Sequence, residues 1–206
     1  MRKIDKGAPI PSFTEFVASR KPVRWEEAKD VSREWREYIL EYEQHRMSGY
    51  TETPVAIDDS HIDHFRKRSL FDTLIFDWNN FIVDSNDGTY GAKYKDKYIT
   101  SCAENEKLIN PVMEDAGRFF KYEINGKIRV ASDLSAVDQR RADLTIIAFN
   151  LNEGSLVERR RVIINTILDS FTDLPDGVIL EALEEVGFRS VVEQLLLERK
   201  QLVENI

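Results

Sequence analysis

All three histidines of the chain, His45, His61 and His64, fall between positions 45 and 64, and the run His61-Ile62-Asp63-His64-Phe65 sets two of them around an aspartate. Imidazole exchanges protons near neutral pH better than any other side chain, and a carboxylate is a natural ligand for a hard divalent cation. Asp63 and His64 therefore read as a candidate acid–base and metal pair, with His61 beside them. The plain alternative is that Ser60 caps a helix whose face carries His61 and His64 as ordinary half-buried residues. Two basic clusters flank the pair. Arg66, Lys67 and Arg68 follow it directly, and Lys93, Lys95 and Lys97 alternate with Tyr94 and Tyr98. Both suit phosphate contacts and base stacking, and both equally suit a solvated run or an amphipathic element with its tyrosines turned inward.

Ordered elements must hold these groups in place. Tyr50 to Ile57 reads as a strand, which Pro54 assigns to an edge or a bulge, and Asp58-Asp59-Ser60 signals a turn ahead of the histidines. Leu70 to Phe81 is an apolar stretch containing Trp78, and Asn86-Asp87-Gly88 marks a turn before the lysine-rich segment Gly91 to Ile99. Upstream, Ser12 with Glu15 fits a capping box that opens a short amphipathic segment from Phe13 to Ala18. Trp25, Ala28, Val31, Trp35, Tyr38, Ile39 and Tyr42 recur at three- and four-residue steps, predicting one helix to about Arg46. Downstream, Asn125-Gly126 between Phe119–Ile124 and Lys127–Ala131 is a strong hairpin signal. Capping boxes at Ser155/Glu158 and Ser190/Glu193 open helices from Leu156 to about Ser170 and from Val191 to about Glu204, with a third at about Gly177 to Val186. Trp25, Trp35 and Trp78 are assigned to the core, and Cys102 to a buried small hydrophobe or an inert thiol.

Composition bounds the function. With 206 residues, 42% hydrophobic and 32% charged, the chain belongs with ordinary globular proteins of one domain. No apolar run approaches the ~20 residues of a membrane span, and MRKIDKGAPIPSF lacks the apolar core of a signal peptide, so the cytoplasm is the expected compartment. A lone cysteine excludes an internal disulfide and a cysteine-based zinc finger. The net charge of -8 argues against unaided, nonspecific binding of a polyanion, and from Glu153 to Ile206 eleven acidic residues face six basic ones.

The order of parts around Asp63-His64 resembles the ββα-metal finger of HNH endonucleases, specifically the Septu-type family of bacterial anti-phage defence. Its supports are Glu43-Gln44 before Ser48-Gly49-Tyr50-Thr51-Glu52, then His61-Ile62-Asp63-His64-Phe65-Arg66, Asp77-Trp78-Asn79-Asn80-Phe81, Leu108-Ile109-Asn110-Pro111 and Asn150-Leu151-Asn152. The resemblance implies one α+β domain over 1–206. It would comprise an N-terminal helical region (1–47), the finger (48–99), and a hairpin with a C-terminal helical region (100–206). It implies hydrolysis of nucleic-acid phosphodiesters, DNA ahead of RNA, with Mg2+ or Mn2+. His64 would be the general base, Asp63 a metal ligand, Asn80 the residue that orients the histidine, and His61 a further member of the site.

The sequence departs from that family twice. Ser48 and Thr51 stand at the first zinc knuckle, with Ser85 and Tyr90 near the second. No structural zinc is expected, and the finger would be held by packing through Tyr50, Tyr90 and Tyr94. The last metal ligand falls nearest Gly91, with Asn86 and Asp87 as substitutes. Weak metal affinity, a shifted ligand and lost activity all stay open, and a catalytically inactive subunit is the alternative function. The resemblance also implies an ATP-binding-cassette-like ATPase as partner, and no membrane. Val191, Val192, Leu195, Leu196, Leu197 and Leu202 form either a docking row for such a partner or simple core.

Overall fold

A strand must find a partner for its backbone groups, and the histidine segment finds one beyond a long loop. In the computed structural model, which describes residues 1–204 (from 202 on as backbone alone), Ser60–His64 forms β1. It pairs antiparallel with β2, Phe81–Ser85, in a register that sets Ser60 against Ser85, His61 against Asp84, Asp63 against Ile82 and His64 against Phe81. The helical alternative for Ser60 is therefore excluded. The expected first strand, Tyr50 to Ile57, is instead a tight turn closed by a single bridge between Met47 and Pro54. Pro54 offers no amide donor and Glu52 takes a φ of +60°, so a ladder has nothing to propagate through. The two strands thus lie one element later than the sequence suggested.

Upstream, α1 (Pro11–Arg20) starts with proline at its first position, where a missing N–H costs nothing. Ser12 does not cap it; its hydroxyl binds Glu34. The single helix expected from Trp25 to Arg46 is broken into a 3-10 turn (Trp25–Ala28), α2 (Ser32–Tyr38) and a wider π turn (Ile39–Glu43). Tertiary hydrogen bonds explain the break. Glu43 accepts from Lys6, the Gly7 N–H and the Trp78 indole, while the Gln44 amide brackets Val83 of β2 at both its N–H and its carbonyl. Such inward-facing polar contacts need the extra width of the π turn.

Downstream of β2, α3 (Gly91–Tyr98) lies against it, followed by α4 (Cys102–Lys107), which has a Ser101/Glu104 capping box that the sequence reading missed. The hairpin is β3 (Phe120–Tyr122) with β4 (Ile128–Val130). Its loop closes through Glu123 and Lys127, with Gly126 at φ +84° as the left-handed residue. Then come α5 (Ala136–Ala148), α6 (Gly154–Ser170), α7 (Asp176–Ala182) and α8 (Arg189–Glu204). Two expected caps move: Glu153, not Ser155, caps α6, and Ser190 lies inside α8 with its N–H and hydroxyl on Glu52.

The core has three parts. An aromatic layer of Phe13, Trp35, Trp78 and Phe81 covers one face of β1–β2, and Tyr50, Phe65, Ile82 and Phe149 fill the space behind the other. The third part joins α6, α7 and α8. Val191, Val192 and Leu196 are buried there and Leu195 packs against it, so most of the expected docking row is core; Leu197 is exposed, and the Leu202 side chain lies outside the described residues. Trp35 and Trp78 are core as expected, Trp25 is half-buried, and Cys102 is exposed rather than buried. Among the described residues no helix is long and apolar enough to cross a membrane.

Candidate functional site

Side chains alternate across a strand, so adjacent residues of β1 face opposite layers. Asp63 points toward α3 and is buried. Its Oδ2 lies 2.6 Å from Lys95 Nζ and also accepts the Tyr50 hydroxyl. Burial alone would push this carboxyl up, but the Lys95 charge and the hydrogen bonds from Lys95 and Tyr50 outweigh it and hold the group below its ordinary value. Removing Lys95 would leave the Asp63 carboxylate buried without its cation, at a cost of about 3–5 kcal/mol.

His64 points the other way, into the aromatic layer, with its ring edge-on to Trp25 at 4.6 Å and to Phe81 at 5.0 Å. Its Nε2 is 2.9 Å from the Ile75 carbonyl, which can only accept, so Nε2 carries the proton and Nδ1 keeps the lone pair. Burial is the main cause that lowers its pKa to about 4, against smaller raising effects from Ile75 and Asp63. The imidazole is therefore neutral at pH 7. Asn80 was expected to hold the histidine, and it acts at one remove. Its amide donates to Arg66 O and Leu74 O and accepts from the Arg66 N–H, which pins the loop that presents Ile75.

A cleft of about 300 Å³ opens over this end of β1, lined by Glu26, His61, Asp63, His64, Lys67, Arg68 and Asp96 among others. His61 shares the Asp63 face, and its buried Nδ1 has no hydrogen-bond partner. The cleft thus collects His61, Asp63, His64, Lys67 and Arg68 of the expected site. It does not collect Asn86 or Asp87. Both lie beyond the Ser60–Ser85 end of the sheet, and three strand residues, roughly 10 Å, separate that end from Asp63. Asn86 binds the Ser60 carbonyl and Asp87 closes a turn on Thr89, so neither joins Asp63 at a cation. Among the described residues no group of three or more His, Cys, Asp or Glu side chains is placed to share a metal ion. Both hydrogen bonds that Asp63 accepts, from Lys95 and Tyr50, fall on Oδ2, the oxygen a cation in this shell would have to share.

The basic clusters are also occupied. Arg66 donates to the Asn105 carbonyl, Lys67 to the carbonyls of Asp96 and Ile99 at the end of α3, and Arg68 lies 3.6 Å from Glu26. Lys93 and Lys97 reach the carbonyls of Asn86 and Gly88. On a helix, positions 93, 95 and 97 cannot share a face; Ala92, Lys95 and Ile99 form the buried stripe, and that spacing is the signal that singles out Lys95. Asp84 was also missed. Its carboxylate accepts the Ser48 hydroxyl and the Ala92 N–H, both at 2.6 Å, while the Ser48 oxygen accepts the amides of Tyr50 and Thr51. The turn of Ser48 and Thr51 is thus tied to the start of α3 through Asp84. Of the packing tyrosines, Tyr50 lies 4.3 Å from the Phe149 ring, Tyr90 is buried, and Tyr94 stacks with Tyr98. The sequence matches no protein-family model and no curated protein.

Proposed function

We propose that the chain is an interaction subunit built on an HNH-type ββα finger, acting within a complex that handles nucleic acid. The observation that carries this reading is the charge balance of the cleft. Glu26 faces Arg68, Asp63 and Asp96 face Lys95, and Lys67 is spent on backbone carbonyls. A site meant to seize a phosphodiester on its own needs uncompensated cations and donors aimed at the phosphate. In this one the charges answer each other. An ATP-binding-cassette-like ATPase remains the proposed partner, on the family resemblance and on the net charge of -8, which leaves polyanion capture to another chain.

A second reading, phosphodiester hydrolysis with His64 as base, is favoured by one specific observation. Nε2–H is held by the Ile75 carbonyl, which leaves Nδ1 as the acceptor a general base requires. One experiment separates the two. Plasmid DNA and a structured RNA are incubated with the wild-type chain and with His64→Ala, with Mg2+ or Mn2+, with and without the co-expressed ATPase. The first reading expects co-elution with the partner and no cleavage by the chain alone that depends on His64. Cleavage that disappears in a folded His64→Ala variant would establish the second.

A further inference from the structure

We infer that Lys95 is a resident cation, its ammonium filling the oxygen shell at the end of β1 that a divalent ion would otherwise take. The inference rests on the finger reading only for the idea that a cation belongs there; the shell itself is in the structure. Lys95 Nζ lies 2.6 Å from Asp63 Oδ2, 3.0 Å from the His64 carbonyl, 3.5 Å from the Phe65 carbonyl and 3.4 Å from Asp96 Oδ1, and its side chain is wholly buried. Four oxygens, from β1, the residue that follows it and α3, converge on one nitrogen. Their spacing suits an ammonium, since a hard divalent ion draws its oxygens to about 2.0–2.6 Å and asks for six or more of them.

Local structure explains why a cation is wanted at this point. His64 and Phe81 are the last pair of the β1–β2 ladder, so the carbonyls of His64 and Phe65 turn toward α3 where the sheet ends. Buried carbonyls left without donors are costly, and the Asn105 amide reaches only the Phe65 carbonyl. Lys95 answers these carbonyls and the Asp63 carboxylate together. A divalent ion placed on Asp63 Oδ2 would sit within contact distance of Nζ and be repelled by it. As long as Lys95 is present, this oxygen shell excludes divalent metals.

The test uses Mn2+ as probe, with the full chain, Lys95→Ala, Lys95→Gln and the double variant Lys95→Ala/Asp63→Asn. Binding is read from the loss of free Mn2+ signal in electron paramagnetic resonance, from Tm, and from paramagnetic broadening of the His64 ring protons. The wild type should show no saturable uptake and no Tm response to Mn2+ or to EDTA. Lys95→Ala should take up Mn2+ at least ~10-fold more tightly than any residual wild-type binding, with Tm climbing as the logarithm of its concentration, and the double variant should lose this. If Lys95→Ala folds only when Mn2+ is added, that result also supports the assignment. Broadening of His64 in the wild type overturns it, as does a folded Lys95→Ala that binds no more Mn2+ than wild type. Failure of both single variants to fold with or without Mn2+ overturns it as well. Plasmid cleavage is followed in the same samples. Wild-type cutting without Mn2+ at His64 would remove the proposed function and leave Lys95 in place, whereas Mn2+ at His64 would remove the Lys95 assignment whatever is cut.

Discussion

Acid should weaken the fold through His64 before the carboxylates dominate. In the native chain this imidazole binds its proton only near pH 4, mainly because it is buried among Trp25, Phe81 and the loop bearing Ile75, whereas its ordinary value is 6.5. Between those two values the unfolded chain holds a proton that the folded chain does not, so stability falls as pH drops from 6.5 toward 4 and is unaffected by His64 above that window. At about 1.4 kcal/mol per pH unit, the loss comes to roughly 3 kcal/mol, a large share of the ~5–15 kcal/mol that a domain of this kind has in total. Urea unfolding at half-unit steps from pH 7 to 4.5 measures it, with His64→Phe as reference. Phenylalanine keeps a ring in the pocket and leaves Ile75 without a donor, a penalty that does not change with pH. The wild type should therefore lose its advantage over His64→Phe as the pH falls. Parallel curves for the two proteins, or a His64 ring signal that titrates between pH 6 and 7 in the native state, would refute the assignment of His64 as a buried neutral group.

Asn80→Ala should cost about 2–4 kcal/mol, since it removes three hydrogen bonds that clamp Arg66 and Leu74 and leaves buried backbone groups unpaired; urea midpoints and a shift of the His64 ring signals would show it. Gly91→Ala should destabilise by more than the ~1 kcal/mol of an ordinary glycine replacement, because Gly91 has φ +70° and an added methyl would run into the Asp84 carboxylate. Loss of protection at the Ala92 amide in hydrogen exchange would report the broken contact. Lys6 is lowered from 10.5 to about 8, chiefly by burial and against the pull of Glu43. The unfolded chain therefore holds the extra proton between those values, and stability should rise with pH from 8 upward. Comparison with Lys6→Met over pH 8–9.5 isolates this rise, before the buried Tyr50 and Tyr122, both held above their ordinary value, begin to act in the opposite sense.

Local chemistry made some of this legible in the sequence. Asn125-Gly126 specified its hairpin because the left-handed Gly126 is a property of the turn itself, and α6 and α8 lie close to the expected bounds although other residues meet their first turns. Elements set by distant partners were not legible. Nothing near Tyr50 announces that Glu52 will be buried to hold Ser190, or that Glu43 and Gln44 will be drawn inward by Lys6, Trp78 and Val83. At the site, Asp63, His64 and Asn80 stood out as residue types, and their neighbourhood in space follows from the β1–β2 register. Their partners did not stand out. Lys95 looked like one of three equivalent lysines until the helical stripe separated it, and Asp84 carried no motif at all.

β1 and β2 are covered on both faces, by the aromatic layer on one side and by α3, Tyr50 and Phe65 on the other. Amides in such a sheet exchange with solvent only when the whole cooperative unit opens. His61, Asp63 and His64 are therefore mounted on a covered sheet, while Glu26, Lys67 and Arg68 sit on the turns around it. A partner can read the surface that His61, Lys67 and Arg68 present without any change in the sheet beneath it. The strand under the cleft should therefore behave as a rigid template, and motion that frees the His64 ring should come from the Trp25 turn and the Ile75 loop that cover it.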